Sequence, residues 1–226
     1  MKISVIGTGD VGRILAAKIA QAGHAVVVGT RDPERTLART EASPTGTPPM
    51  AGWHGRHRNI PLVTLPEAGG HGELIVNATA GTGSLAALHA TGPHDGKIIM
   101  DVANPLDFSA GFPPSLSVCN TDSLAEQIQR AFPAARVVKT LNTVNHMLMA
   151  DPGRLPGPHN VFVAGDDAAA KAAVSGLLQQ LGWPEPDILD LGGISAARGL
   201  EMYLPLWLEL MQSLGSWDFN IRIVRR

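Results

Sequence analysis

The feature that most constrains how this chain folds is a cluster of glycines near its start, Gly7-Thr8-Gly9-Asp10-Val11-Gly12. The pattern G-x-G-x-x-G is weak by itself, but its setting strengthens it. Lys2–Ile6 is a β-branched run predicted as a strand, and residues 10–22 place Val11, Ile14, Leu15 and Ile19 on one helical face. A strand, a glycine turn and a helix in that order form a cradle for a dinucleotide pyrophosphate. Gly7 permits the tight turn, Gly9 keeps a Cβ out of the pyrophosphate's path, and Gly12 lets the helix pack closely on the strand. The free N–H groups and positive end of the helix then face the phosphates. Asp10 would repel an anion, so it is expected to point away, where the helix dipole favours it.

The end of the second strand selects between dinucleotides. Ala25–Thr30 is nearly all apolar, as a strand buried on both faces must be. A chain that binds NAD places Asp or Glu at its end to accept from the ribose 2′-OH. Here the residues are Gly29-Thr30-Arg31, with Arg35 four positions on. A hydroxyl and two guanidinium groups suit a 2′-phosphate, which Arg grips bidentately. The bland alternative is a solvated basic turn. Asp32 is the nearest acid, and Asp32-Pro33 also reads as a helix start, with Asp as N-cap and Pro in the first position.

Further along, strand-like and helix-like segments alternate, which predicts a parallel sheet with helices on both faces. Strands are expected at 60–65, 73–79, 97–102, 136–141, 160–164 and 187–191. Helices are expected from about Pro33, at 123–131 with Ser123 and Glu126 as a capping box, at 168–181, and at 194–214 with a bend at Pro205. Leu200, Leu204, Trp207, Met211 and Leu214 share a stripe of that last helix. It reads as core or a subunit seam, and Trp207 and Trp217 as packing rather than anchors. The stretch 41–59, rich in Gly, Pro, Ser, Thr, Arg and His, reads as a loop. The tail 220–224 is expected as an edge strand. The fold class is therefore α/β, a doubly wound Rossmann-type sheet. Residues 1–146 are expected as the NADP-binding domain and 147–226 as a smaller part packed on it.

With 226 residues, 44% of them hydrophobic and 17% charged, the chain has enough apolar material for a sizeable core. A net charge of −2 argues against nucleic acid as a partner, and no apolar run reaches membrane-spanning length. The single Cys119 forms no internal disulfide, so a reduced, cytoplasmic location is the expectation.

The glycine turn, Thr30-Arg31 and three later segments together resemble the F420-dependent NADP oxidoreductase family. Those segments are Asp101-Val102-Ala103-Asn104-Pro105-Leu106, Val137-Val138-Lys139-Thr140-Leu141-Asn142-Thr143 and Asp190-Leu191-Gly192-Gly193-Ile194-Ser195-Ala196-Ala197-Arg198. The resemblance covers nearly the whole chain apart from 41–59. It implies hydride exchange between NADP(H) and a deazaflavin or related flavin, with both rings in one cleft and no covalent intermediate. By position, Thr8, Gly9, Asp10 and Val11 would line the pyrophosphate, and Thr30, Arg31 and Arg35 would hold the 2′-phosphate. Ala78, Thr79, Asn142, Thr143 and His146 would border the nicotinamide and its acceptor, and Asn104 is a further expected cofactor-binding residue. The turn lacks an additional Gly found in archaeal members. Asn142 stands where some of them have His, which leaves the acceptor open.

No acid–base dyad or triad stands out, as expected where proximity and orientation carry the chemistry. His54 and His57 form H-x-x-H without a further ligand at zinc spacing. Lys139 falls in a strand pattern, so no catalytic part is assigned to it. Three readings follow: reduction of F420 or a flavin by NADPH, reduction of another small molecule, and a non-catalytic NADP sensor. A homodimer is the expected assembly.

Overall fold

The computed structural model describes residues 1–42 and 46–226. Chain order begins β1 (Lys2–Ile6), α1 (Asp10–Gln21), β2 (Ala25–Thr30), α2 (Pro33–Ala38), α3 (Met50–Arg56) and β3 (Leu62–Thr64). It continues with α4 (Leu65–His71), β4 (Leu74–Asn77), α5 (Ser84–Ala90) and β5 (Ile98–Asp101). A small antiparallel ribbon, β6 (Leu106–Asp107) and β7 (Ser115–Leu116), follows. Then come α6 (Leu124–Ala131), β8 (Arg136–Thr140), α7 (His146–Ala150), β9 (Val161–Ala164), α8 (Ala168–Gln180), β10 (Ile188–Asp190) and α9 (Ala197–Leu214).

Strand residues alternate between two apolar layers, which is why the sheet is covered on both faces. Ile3, Val5, Val26, Val28, Leu74 and Val76 face one layer, packed by α1 (Leu15, Ile19), α3 (Trp53), α7 (Leu148) and α8 (Val174, Leu177). Ile6, Val27, Ile75, Ile99 and Val137 face the other, packed by α4 (Leu65), α5 (Leu88) and α6 (Leu124, Ile128). Each such buried aliphatic side chain contributes about 1.5–3 kcal/mol relative to exposure.

The main sheet has the order β10-β9-β8-β5-β4-β1-β2-β3. From β3 through β8 neighbouring strands are parallel, β9 runs antiparallel to β8, and β10 is parallel to β9. The fold is thus the expected doubly wound Rossmann type. The chain leaves β1 towards β2 on one side and returns to β4 on the other. Ile6 is paired with both Gly29 and Asn77, so the glycine turn emerges between the ends of β2 and β4. That crevice, outside the carboxyl ends at the reversal of strand order, is where open α/β sheets bind ligands.

Several expectations are corrected. The stretch 41–59 is not all loop: it contains α3, whose Met50 and Trp53 are 2% and 8% exposed. Gly52 and Gly55 dilute the helical period, and burial of two side chains outweighs their poor propensity. Residues 43–45 of that stretch lie outside the described residues. The tail 220–224 is not a strand. It lies along the start of β9 through Asn160 N–H to Ile221 O (3.0 Å) and Asn220 Nδ2 to Asn160 O (2.8 Å). The capping box at Ser123 is half formed: Ser123 Oγ accepts from Glu126 N, but the Glu126 carboxylate accepts from Ser123 Oγ and Arg198 rather than from the Ser123 backbone N–H. A complete box stands instead at Thr64 and Glu67. The last helix opens with a 3-10 turn, Ile194–Ala196, before α9 runs through Pro205. Of its stripe, Leu200, Leu204, Trp207 and Met211 are buried, whereas Leu214 is 58% exposed.

Candidate functional site

The glycine turn is held from below and open above. Gly7 has φ +130°, and a Cβ on it would meet Ala78 O at 2.3 Å; one on Gly12 would meet Gly7 O at 2.1 Å. A Cβ on Gly9 would have nothing within 4 Å. Gly9 is also the N-cap of α1 and supplies no side-chain cap, so the first-turn N–H groups face open space. Arg13 braces the turn, with Nε donating to Thr8 O (2.7 Å) and Nη1 to Pro48 O. The Asp10 carboxylate is turned to the Thr47 hydroxyl, as its expected orientation requires. This arrangement fits a pyrophosphate: donors without acceptors, and a missing Cβ where an anion must approach.

At the end of β2 the Thr30 hydroxyl lies 2.9 Å from that of Thr36. Asp32 is the N-cap of α2, its Oδ1 accepting from Arg35 N at 2.9 Å. Arg31 and Arg35 are exposed and line a cleft of about 700 Å³ together with Gly7, Thr8, Gly9 and Thr30. Arg39 lines it as well. Sequence reasoning passed over Arg39, which sits just past the end of α2, four residues beyond Arg35.

A second cleft, of about 480 Å³, continues from the first past Ala78, Thr79 and Ala80, which line both. It gathers every residue the resemblance assigned to the nicotinamide side, Ala78, Thr79, Asn142, Thr143 and His146, together with Asn104. Val11 lines it too, rather than the first cleft; Asp10 and Gly12 line neither. Its far wall is Leu204 and Trp207 of α9 with Trp217, none of which the sequence had placed there. Leu141 adopts φ +60°, a left-handed conformation that is strained for a leucine and turns the chain after β8. The turn brings Asn142 against Asn104: Nδ2 of each donates to an oxygen of the other residue at 2.9 Å, and Asn142 Nδ2 also donates to Leu200 O at 2.9 Å. Asn142 Oδ1, Thr143 Oγ1 and Trp207 Nε1 are buried with no hydrogen-bond partner among the described residues. Buried polar atoms are rarely left so, and a ligand with a matching polar edge would satisfy them.

Beneath the strand ends lies a buried polar chain. Thr79 Oγ1 donates to Asn77 Oδ1 (2.7 Å), and Asn77 Nδ2 donates to Asp101 Oδ1 (2.8 Å). Lys139 Nζ stands 2.8 Å from both Asp101 Oδ2 and Glu201 Oε1, and all three side chains are at most 1% exposed. Burial alone would lower the Lys139 pKa, but the two carboxylates outweigh it and hold it above its ordinary value. Burial pushes the Glu201 carboxyl up, against the pull of Lys139.

Residues 2–105 match the family described as NADP oxidoreductase, coenzyme F420-dependent. A crystal structure of an Arthrobacter sp. FB24 protein, assigned provisionally as an F420-dependent NADP reductase, is 54% identical, covers 100% of both chains and superposes with a TM-score of 0.94. The chain belongs to the F420-dependent NADP oxidoreductase family. It is accordingly an NADP-dependent oxidoreductase. The F420-dependent NADP reductase of Methanothermobacter marburgensis is 26% identical over 217 residues, 93% of this chain and 92% of that protein. The metalloreductase STEAP3 of Rattus norvegicus is 28% identical over 211 residues, 91% of this chain. The chain spans 38% of the length of that relative. No helix among the described residues is long and apolar enough to cross a membrane.

Proposed function

We propose that this family member transfers a hydride between NADPH, laid across both clefts, and coenzyme F420 or a related flavin in the second. The observation that supports this most is the meeting of two unlike clefts at Ala78, Thr79 and Ala80. One is glycine-floored and rimmed by arginines; the other is apolar and aromatic with unpartnered polar atoms.

Bound NADPH supplies the hydride. The first-turn N–H groups of α1 hold the pyrophosphate, and Thr30, Arg31 and Arg35 hold the 2′-phosphate. Each charged hydrogen bond is worth about 1.5–3 kcal/mol. Asn142 Oδ1 and Thr143 Oγ1 offer partners to a carboxamide at the nicotinamide end, and their rigid seating fixes its orientation. Leu204 and Trp207 present an apolar wall against which a planar ring stacks, and they exclude water from between the rings. With two rings held in contact, orientation replaces acid–base machinery as the source of rate.

The test is to mix purified protein with NADPH and, in turn, oxidised F420, FMN, FAD and a ferric chelate. Bleaching of the F420 or flavin chromophore with stoichiometric loss of NADPH is the expected outcome. Consumption with the ferric chelate alone would move the assignment to a reductase of another acceptor. Binding of NADPH with no consumption by any of them would overturn hydride transfer to these acceptors.

A further inference from the structure

The two halves of the site are built on separate elements. The floor consists of the ends of β4, β5 and β8, and the acceptor wall of Leu204 and Trp207 is carried by α9. What fixes the separation between floor and wall is therefore part of the site's design. One direct polar link is the Asn142 bond to Leu200 O. The other is ionic. Asn77, Asp101 and Lys139 are register partners across β4, β5 and β8, and their side chains are joined below the floor. Lys139 then reaches out of the sheet to Glu201, one turn before Leu204 on α9. Glu201 is held from a third side, because it accepts from Leu124 N (2.8 Å) and Ala125 N (3.2 Å) at the start of α6. A carboxylate with three donors from two other elements has one position available to it, and it takes α9 with it.

We propose that Glu201, clamped by Lys139, is a positioning residue that sets the height of the α9 wall over the strand ends. It lines neither cleft itself. The function of the clamp follows from what buried ion pairs do and do not contribute. Apolar side chains of similar volume often match or exceed them in stability, so stabilisation alone is a weak reason to place three ionisable groups here. A fixed geometry is a stronger one. The inference rests on the second cleft being the acceptor site.

The variant that removes the carboxylate is Glu201→Leu, which leaves Lys139 paired one-to-one with Asp101 and takes the acceptor from Leu124 N and Ala125 N as well. Acceptor KM is expected to rise at least tenfold with kcat reduced, while the NADPH Kd stays within about twofold. Hydrogen exchange should quicken in α9 but not in β1 and α1. Glu201→Gln, which keeps an oxygen for Lys139, should return KM to within about threefold of the parent protein. Should Glu201→Leu fail to fold, Glu201→Asp withdraws the charge by one methylene and should still raise KM threefold or more. A lowered melting temperature with unchanged acceptor KM would overturn the proposal by reducing Glu201 to a brace. So would a rise in NADPH Kd equal to the rise in KM. If the parent protein oxidises NADPH with none of the acceptors, the acceptor reading fails by itself. The exchange of α9 in Glu201→Leu against the parent then decides the clamp: quickening confined to α9 supports it, and no change, or quickening that spreads to α6 and β8, overturns it.

Discussion

Gly9 and Gly12 are three positions apart, but the protein itself crowds only the second. A Cβ on Gly12 would lie 2.1 Å from a backbone oxygen, whereas the space above Gly9 is open. Gly12→Ala should therefore destabilise the fold by about 1–3 kcal/mol, the usual range for overpacking, with a matching drop in urea midpoint. Gly9→Ala sits at φ −77°, which alanine adopts freely, so its stability should stay within about 0.5 kcal/mol. Its NADPH affinity, measured by fluorescence titration, should fall tenfold or more. At the other end of the cofactor, Arg31→Ala should weaken NADPH at least tenfold with little change for NADH, since one charged hydrogen bond exceeds the roughly 1.4 kcal/mol of a tenfold preference. Equal losses for both would remove Arg31 from the 2′-phosphate. These residues were legible because their constraint is local: a turn, a strand end, a helix cap at Asp32. Asn142 lines the second cleft, but its bonds to Asn104 and Leu200 come from distant elements and left no trace in the adjacent sequence. Lys139 was assigned no catalytic part because it falls in a strand pattern, and its ionic partners on β5 and α9 are too far along the chain to be read beside it.

Among elements, α6 and α9 are joined by Arg198, whose guanidinium donates to Glu126 at 2.6 and 2.9 Å. Those hydrogen bonds hold the Glu126 carboxyl below its ordinary value, against the opposing effect of burial. An acid with a depressed folded pKa adds stability above its unfolded pKa and loses it as pH falls through the folded one. Glu126→Gln should thus be less stable than the parent at pH 7, by under about 1 kcal/mol given the exposure of Arg198. The gap should close as the pH falls below the ordinary carboxylate range, around pH 4. Urea denaturation stepped down from pH 7 checks it, and a gap that does not narrow at any acid pH where the parent still folds would show that packing, not charge, joins the helices. The α3 helix marks where element-scale reading failed: Met50 and Trp53 give two apolar contacts in a glycine-diluted stretch, too few to register as a period. Burial against α1's layer supplies what propensity does not.

For the molecule as a whole, the alternation of strand and helix patterns was enough to foresee the doubly wound sheet, because each crossover between parallel strands demands a covering helix. The direction of β9 was not foreseeable in that way. A strand of four buried apolar residues reads the same in either sense, and its pairing with β8 is decided by the path of the chain through α7. The Ala78–Ala80 segment, shared by both clefts, carries a consequence for isotope labels. A nicotinamide held against it, as proposed, would turn one side to the sheet and only the other to a partner beneath α9. The two hydrogens at the ring's reactive carbon are then inequivalent, and deuterium installed at one of them should pass wholly to the acceptor while deuterium at its prochiral twin stays behind. Label scrambled between both products would mean that the ring flips within the crevice, and that the shared segment does not hold it.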